Sequence, residues 1–159
     1  MDTHSKIEIL ECNFEDPSHL QAIVDLTAAY MADPMGGEES MPETVRLNLP
    51  KVLADHPARL ILLAKINHTY VGICTAFIGI STFYARPYFN VHDIAVLPAY
   101  RDKGIGRQLL ESLIEIARQR NYCKITLEVR HDNLPAQHLY RKLGFEDTKP
   151  PMYFWTKWL

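Results

Sequence analysis

With 159 residues, 47% of them hydrophobic, the chain can bury one ordinary core but not two, so a single domain over residues 1–159 is expected. Its formal net charge of −2 argues against a generally basic surface, and with it against nucleic acid as a partner, because phosphates are neutralised by clustered cations. No apolar run approaches the roughly 18 residues that cross a bilayer, and Met1-Asp2-Thr3-His4-Ser5-Lys6 has no leader pattern, so neither membrane insertion nor secretion is expected.

Residues 6–12 alternate Ile7 and Ile9 with Glu8 and Glu11 and read as a first strand. Behind Asp16-Pro17-Ser18, apolar residues at Leu20, Ile23, Val24, Leu26, Ala28 and Tyr30 recur near helical spacing, predicting a helix to about Asp33. Residues 33–40, with Pro34, Gly36, Gly37, Glu38 and Glu39, offer neither periodicity nor an apolar face and form a loop. Pro42 and Glu43 suit the opening of a second helix, which Pro50 should break or kink before His56. Residues 59–66 and 69–80 flank Asn67-His68 as two strands of a hairpin. Residues 81–87 are an aromatic-rich loop, after which 88–96 resume strand character and Leu97-Pro98-Ala99-Tyr100 ends it.

Beyond Gly106, Leu109, Leu110, Leu113, Ile114, Ile116 and Ala117 form one stripe, with Arg107, Glu111, Glu115 and Arg118 facing elsewhere, the best-marked helix of the chain. Residues 124–129 are then a strand. Strand, helix and strand in this order imply a right-handed parallel crossover, because parallel neighbours cannot be joined by a short turn. Asn133 caps a short helix to Leu143, Gly144 stops it, and Phe145 and residues 152–158 offer two last strands. Cys12, Cys74 and Cys123 are odd in number and set in apolar segments. They fit buried reduced thiols better than disulfides, and the cytoplasm is the expected location.

Arg101-Asp102-Lys103-Gly104-Ile105-Gly106-Arg107 lies between a strand end and that well-marked helix. Gly104 and Gly106 let the backbone approach a ligand with successive N–H groups turned outward, and the helix N-terminus adds a positive dipole end, so a diphosphate is the natural occupant. Arg101, Lys103 and Arg107 add charge. A dinucleotide fingerprint would need a small residue where Leu109 stands, and a P-loop would need a Gly-Lys-Ser/Thr that is absent. Taken alone, the segment is equally an ordinary glycine turn with solvated cations.

The context of this turn resembles a known family. Arg101 to Gly106 matches in full the Arg/Gln-x-x-Gly-x-Gly/Ala signature of the GNAT N-acetyltransferases, which there lies between the fourth strand and third helix. Asn133, Ala136, Leu139-Tyr140 and Leu143-Gly144-Phe145 reproduce the spacing of that family's next motif. The resemblance implies an α/β (α+β) fold: a mixed, mostly antiparallel central sheet with a parallel crossover from fourth strand through third helix to fifth strand, and helices on both faces. It also implies acetyl-CoA as cosubstrate. The pantetheine arm would lie where the fourth and fifth strands splay, paired with the backbone of Ile94, Ala95 and Val96. The diphosphate would rest on Arg101, Asp102, Lys103, Gly104, Ile105, Gly106 and Arg107.

Asn133, Ala136 or Gln137, and Tyr140 share one helix face. With the resemblance, Asn133 holds the pantetheine arm, Ala136 leaves room for it, and Tyr140 is the acid that protonates the leaving thiolate, its phenol being loaded at neutral pH with an ordinary pKa of about 10. The alternatives are an N-cap for Asn133, which is compatible with binding, and plain packing for Tyr140. An alkylamine, with a pKa near 10.4, must lose a proton before it attacks. His92, ordinarily near 6.5, suits that base role directly or through water, or is a hydrogen-bonded strand histidine; alternation sends Asp93 to the opposite face as an amine anchor or structural acceptor. Family members often carry glutamate near this point, so His92 departs from the pattern, and Glu128 on the next strand is a further candidate.

Asp33, Glu38 and Glu39, and the aromatics Phe83, Tyr84, Tyr88 and Phe89, offer charge and ring faces to a cationic amine; solvation and packing are the plainer readings. The run from Ser81 to Asp93 is similar to the diamine and polyamine branch, which favours a small-molecule amine as substrate. A protein N-terminus or lysine is the alternative acceptor, and a non-catalytic CoA-binding sensor the alternative class. His131, Asp132, His92 and Cys123 have no recognised zinc spacing, and no metal is expected. The aromatic run from Met152 to Leu159 suggests pairing with a second copy, a homodimer.

Overall fold

A computed structural model describes residues 6–159; residues 1–5, read above as lacking a leader, lie outside the described residues. The chain divides into two compact units, one reaching to Glu128 and one from Val129 to Leu159. The first contains β1 (Ile7–Glu11), α1 (Pro17–Met31), α2 (Glu43–Asp55), β2 (Arg59–Ile66), β3 (Thr69–Ser81), β4 (Arg86–Val96), a 3-10 turn (Pro98–Tyr100), α3 (Ile105–Gln119) and β5 (Ile125–Leu127). The strands form one sheet in the order β1-β2-β3-β4-β5. All neighbours are antiparallel except β4 and β5, which α3 connects. This is the mixed sheet with a single parallel crossover that the sequence predicts.

Strand alternation sends apolar side chains to both faces, and each face receives helices. Ile61, Leu63 and Ile73 pack with Ala22, Ile23 and Leu26 of α1 and Leu53 of α2. The other face carries α3. A Cβ added to Gly72 would stand 3.2 Å from Ile105 and 3.3 Å from Leu109, so α3 rests almost on the β3 backbone. Ile105, Leu109, Leu110 and Leu113 are fully buried there, each contributing about 1.5–3 kcal/mol by leaving water.

Local chemistry explains most element ends. The Asp16 carboxylate accepts from the Ser18 amide at 2.8 Å and Pro17 opens α1. α2 runs through Pro50 to Asp55 rather than breaking: proline removes one helical donor, but the last turn carries Leu53, which is buried in the core. β4 starts at Arg86, inside the expected loop, because the Arg86 guanidinium bonds the Asn121 carbonyl at 2.8 Å and its side-chain oxygen at 2.7 Å. β5 is three residues long, shorter than expected, since it pairs only from Phe89↔Ile125 to Val91↔Leu127.

In the second unit, α4 (Leu134–Lys142) begins at Asn133, whose side-chain oxygen accepts from the Ala136 amide at 3.3 Å. Gly144, at φ 87°, ends it, and the Phe145 amide donates to the Tyr140 carbonyl at 3.0 Å. The two strands expected at Phe145 and over 152–158 do not form; residues 145–159 hold no strand. A strand exists only through a ladder partner, and Pro150-Pro151 removes two donors just before the aromatic run.

Candidate functional site

Across from β3, Thr75 faces Asp93 and Ala76 faces Val91, so His92 is an extra residue and β4 is bulged there. β5 stops at the same place, Val91↔Leu127 being its last pair. From His92 to Val96, the edge of β4 away from β3 has no strand partner among the described residues. The Leu97 amide donates to the Val71 carbonyl at 2.9 Å. Ala95, two residues back and opposite Ile73, therefore turns its amide and carbonyl toward β3, while Ile94 and Val96 turn theirs to the open edge. Of Ile94, Ala95 and Val96, expected alike to pair with the pantetheine arm, Ala95 has its backbone groups toward β3 and the other two have theirs toward the open edge.

The open edge leads through the 3-10 turn to residues 101–104. Asp102 (φ 61°) and Gly104 (φ 78°) are left-handed, a conformation that glycine takes without strain. The amides of Ile105, Gly106 and Arg107 lie in the first turn of α3, where no intrahelical acceptor exists and the helix dipole is positive. All three cations of this segment have local partners. Arg101 Nη2 meets Asp33 Oδ2 at 2.5 Å and its Nε donates to the Val96 carbonyl at 3.1 Å. Lys103 Nζ donates to the Ala99 carbonyl at 3.3 Å and sits over the Tyr100 ring; Arg107 Nε meets Glu111 at 2.7 Å. An anion at this turn meets backbone donors first.

On the bulge, His92 is exposed and its ring lies edge-on to Phe77 at 5.6 Å, with His56 on Phe77 at 5.1 Å. Strict alternation would put His92 and Asp93 on opposite faces. The bulge suspends it: the His92 ring lies against Phe77, which is two residues from Thr75, the partner of Asp93, and so on the same face of β3. Asp93 is half-buried, and burial pushes its carboxyl above the usual carboxylate range, partly offset by His92. His56 joins this group with no sequence signal, since it merely follows α2. Asn90 donates to Thr126 at 3.1 Å and ties β4 to β5 just before the bulge.

The remaining candidates separate by exposure. Phe83, 96% exposed, and Tyr84 stand at the tip of the β3–β4 hairpin. Tyr88 covers Gly79, where a Cβ would stand 2.6 Å from the ring, and Phe89 is core, packed on Tyr122 at 4.7 Å. Glu38, Glu39 and Glu128 are exposed. Asp33 is buried and engaged by Arg101, which lowers its pKa, so it is not an open anchor for an amine. Desolvation pushes the buried thiols of Cys12 and Cys74 up to about 11 and about 12, leaving both inert; Cys123 is half-buried. Among the described residues no helix is long and apolar enough to cross a membrane. In the second unit the Asn133 side chain serves as N-cap, Ala136 is half-buried, and Tyr140 is buried with its ring 5.9 Å from Phe145.

The N-alpha-acetyltransferase RimI of Mycobacterium tuberculosis is 42% identical to this chain over 91 residues, covering 53% of the chain and 56% of that protein. The ribosomal protein bS18-alanine N-acetyltransferase of Escherichia coli K12 is 46% identical over 58 residues, 36% of this chain and 39% of that protein. The chain thus spans about half of the first relative's length and less of the second's. A solved structure of AAC(6')-Iy with the bisubstrate analogue CoA-S-monomethyl-acetylneamine shares the fold at a TM-score of 0.75 and 18% identity, covering 96% of this chain and 99% of that one. The acetyltransferase (GNAT) family model matches residues 21–145, well over half of the chain. By that match, this chain belongs to the GNAT acetyltransferase family.

Proposed function

We propose that the protein is an N-acetyltransferase that moves the acetyl group of acetyl-CoA directly onto a primary amine. The observation that carries this reading is the open edge of β4, where the Ile94 amide and carbonyl and the Val96 amide have no strand partner and Arg101 holds the Val96 carbonyl, leading into the first-turn amides of a helix N-terminus. Such a strip suits an extended, amide-containing arm that ends in a diphosphate. Bound there, acetyl-CoA would supply an activated thioester. Ile94 and Val96 would hold the arm, and the backbone from Arg101 to Arg107 the diphosphate. On the strength of the motif match, Asn133 and Ala136 are assigned to cofactor binding as well, and residues 1–159 to one catalytic domain.

The amine must arrive or become neutral. His92, exposed on the bulge, is assigned as the base that takes its proton, with Asp93 beside it as anchor for the cationic form. Phe83, Tyr84 and Glu128 are assigned to the acceptor side. Tyr140 is assigned as the acid on the motif match, since a phenol stays protonated at neutral pH. Two buried reduced thiols suit the cytoplasm, and the exposed Met152, Tyr153, Phe154, Trp155 and Trp158 suit contact with a second copy.

A small, flexible amine is the favoured acceptor, supported by the Asp93 carboxylate at the bulge, by the exposed rings of Phe83 and Tyr84 at the hairpin tip, and by the neamine-based analogue in the AAC(6')-Iy complex. A protein N-terminus is the second reading, supported by the bS18-alanine relative. Thiol release on a panel of diamines, polyamines, aminoglycosides, amino acids and peptides, with calorimetric acetyl-CoA binding beside it, tests both. Turnover on small amines supports the first and on peptides alone the second. Failure to bind acetyl-CoA would sink the assignment.

A further inference from the structure

Asp33 closes the end of α1 with almost all of its polar atoms. Its amide donates to the Tyr30 carbonyl at 3.0 Å, and its own carbonyl accepts from Gly36, Gly37 and Glu38 at 2.8, 3.1 and 3.2 Å. Its Oδ1 accepts from the Met35 amide at 2.9 Å. The chain then folds back so tightly that a Cβ on Gly36 would stand 1.7 Å from the Tyr30 carbonyl oxygen, and the Glu39 amide reaches the Met31 carbonyl at 2.9 Å. One polar atom is left, Oδ2, on a residue only 9% exposed. It meets Arg101.

Arg101 is the first residue of the phosphate-turn signature, yet its side chain is directed at protein acceptors. One guanidinium reaches Asp33 Oδ2 at 2.5 Å and the Val96 carbonyl at 3.1 Å, and Arg101 walls a narrow cleft between Tyr30 of α1 and the β4 end at Val96. Swinging away to meet a phosphate would leave the Asp33 carboxylate buried without its cation, which is costly. The planar fork satisfies two acceptors at fixed separation; a lysine ammonium on a flexible stem does not hold that geometry.

We propose that Arg101 is a positioning residue: bridging Asp33 and the Val96 carbonyl, it latches the α1–α2 loop to the open end of β4, and its side chain does not bind the diphosphate. What the open edge holds rests on the acetyltransferase reading; the latch itself does not. If it exists, Asp33→Asn, Arg101→Ala and the double variant each weaken acetyl-CoA binding by the same modest factor, about 5-fold, because each disorders the Val96 edge once. Arg101→Lys, which keeps the charge, does not rescue. The salt dependence of binding is unchanged in Arg101→Ala, since no phosphate contact has been removed. Arg101→Ala losing far more affinity than Asp33→Asn, with rescue by lysine and a shallower salt slope, would overturn the proposal and make the side chain a phosphate ligand. Hydrogen exchange at the amides of residues 36–39 tests the latch even if the unaltered protein binds no acetyl-CoA: faster exchange in both Asp33→Asn and Arg101→Ala is expected, and unchanged exchange would remove the latch.

Discussion

Asp93 and Asp33 are both withdrawn from water, and their surroundings drive them in opposite directions. Asp93 loses hydration by burial and His92 offsets only part of that cost, so its folded pKa rises. A carboxyl so raised contributes stability below its unfolded pKa and loses it as pH climbs through the folded value, which makes it a liability at pH 7. Asp93→Asn should therefore raise Tm at pH 7, with the gain vanishing toward pH 4, while turnover falls about 100-fold if the anchor role holds. Thermal melts across pH and thiol release read the two effects separately. Asp33 is held low by Arg101 and the Met35 amide, so its contribution is present above the unfolded pKa and is lost on acidification through the folded one. For Tyr140→Phe, turnover should drop about 100-fold with acetyl-CoA affinity nearly unchanged; equal turnover would remove Tyr140 from the chemistry. The motif positions at 101–107 and 133–140 were legible because each depends on local spacing. The Arg101–Asp33 pair was not, for its members lie 68 residues apart, and Asp33 alone reads as an open loop carboxylate.

At the scale of elements, β4 is where pairing does the deciding. Its bulge at His92 coincides with the last β5 pair, so one edge is left open over Ile94 and Val96. The proline pair Ile94→Pro and Ala95→Pro tests this reading. Proline at 94 removes an amide that faces the open edge, whereas at 95 it removes one engaged with β3. Ala95→Pro should cost about 1–3 kcal/mol more stability in denaturant melts. Ile94→Pro should fold yet lose most acetyl-CoA affinity by calorimetry. Equal stability losses would mean that the edge is assigned to the wrong residues. Hydrophobic alternation and the α3 stripe announced β1 to β5 and α3. Neither could show where β5 stops, since ladder length depends on the partner strand, nor that residues 152–158 would find none.

Across the whole molecule, the proposed single catalytic domain has a thermodynamic consequence. Calorimetric unfolding should show one transition, with calorimetric and van't Hoff enthalpies equal, and acetyl-CoA at about 100 times its Kd should add about 2.7 kcal/mol. Two transitions, only one of them shifted by acetyl-CoA, would divide the chain functionally. Local order was determined by the sequence itself: apolar periodicity, caps such as Asp16 and Asn133, and the left-handed Gly104 each depend on neighbours a few residues away. Tertiary structure decided the rest. Which backbone groups of β4 stay unpaired, which face His92 joins, and which acceptor holds Arg101 depend on strand partners and on contacts between distant segments, and no local pattern encodes those.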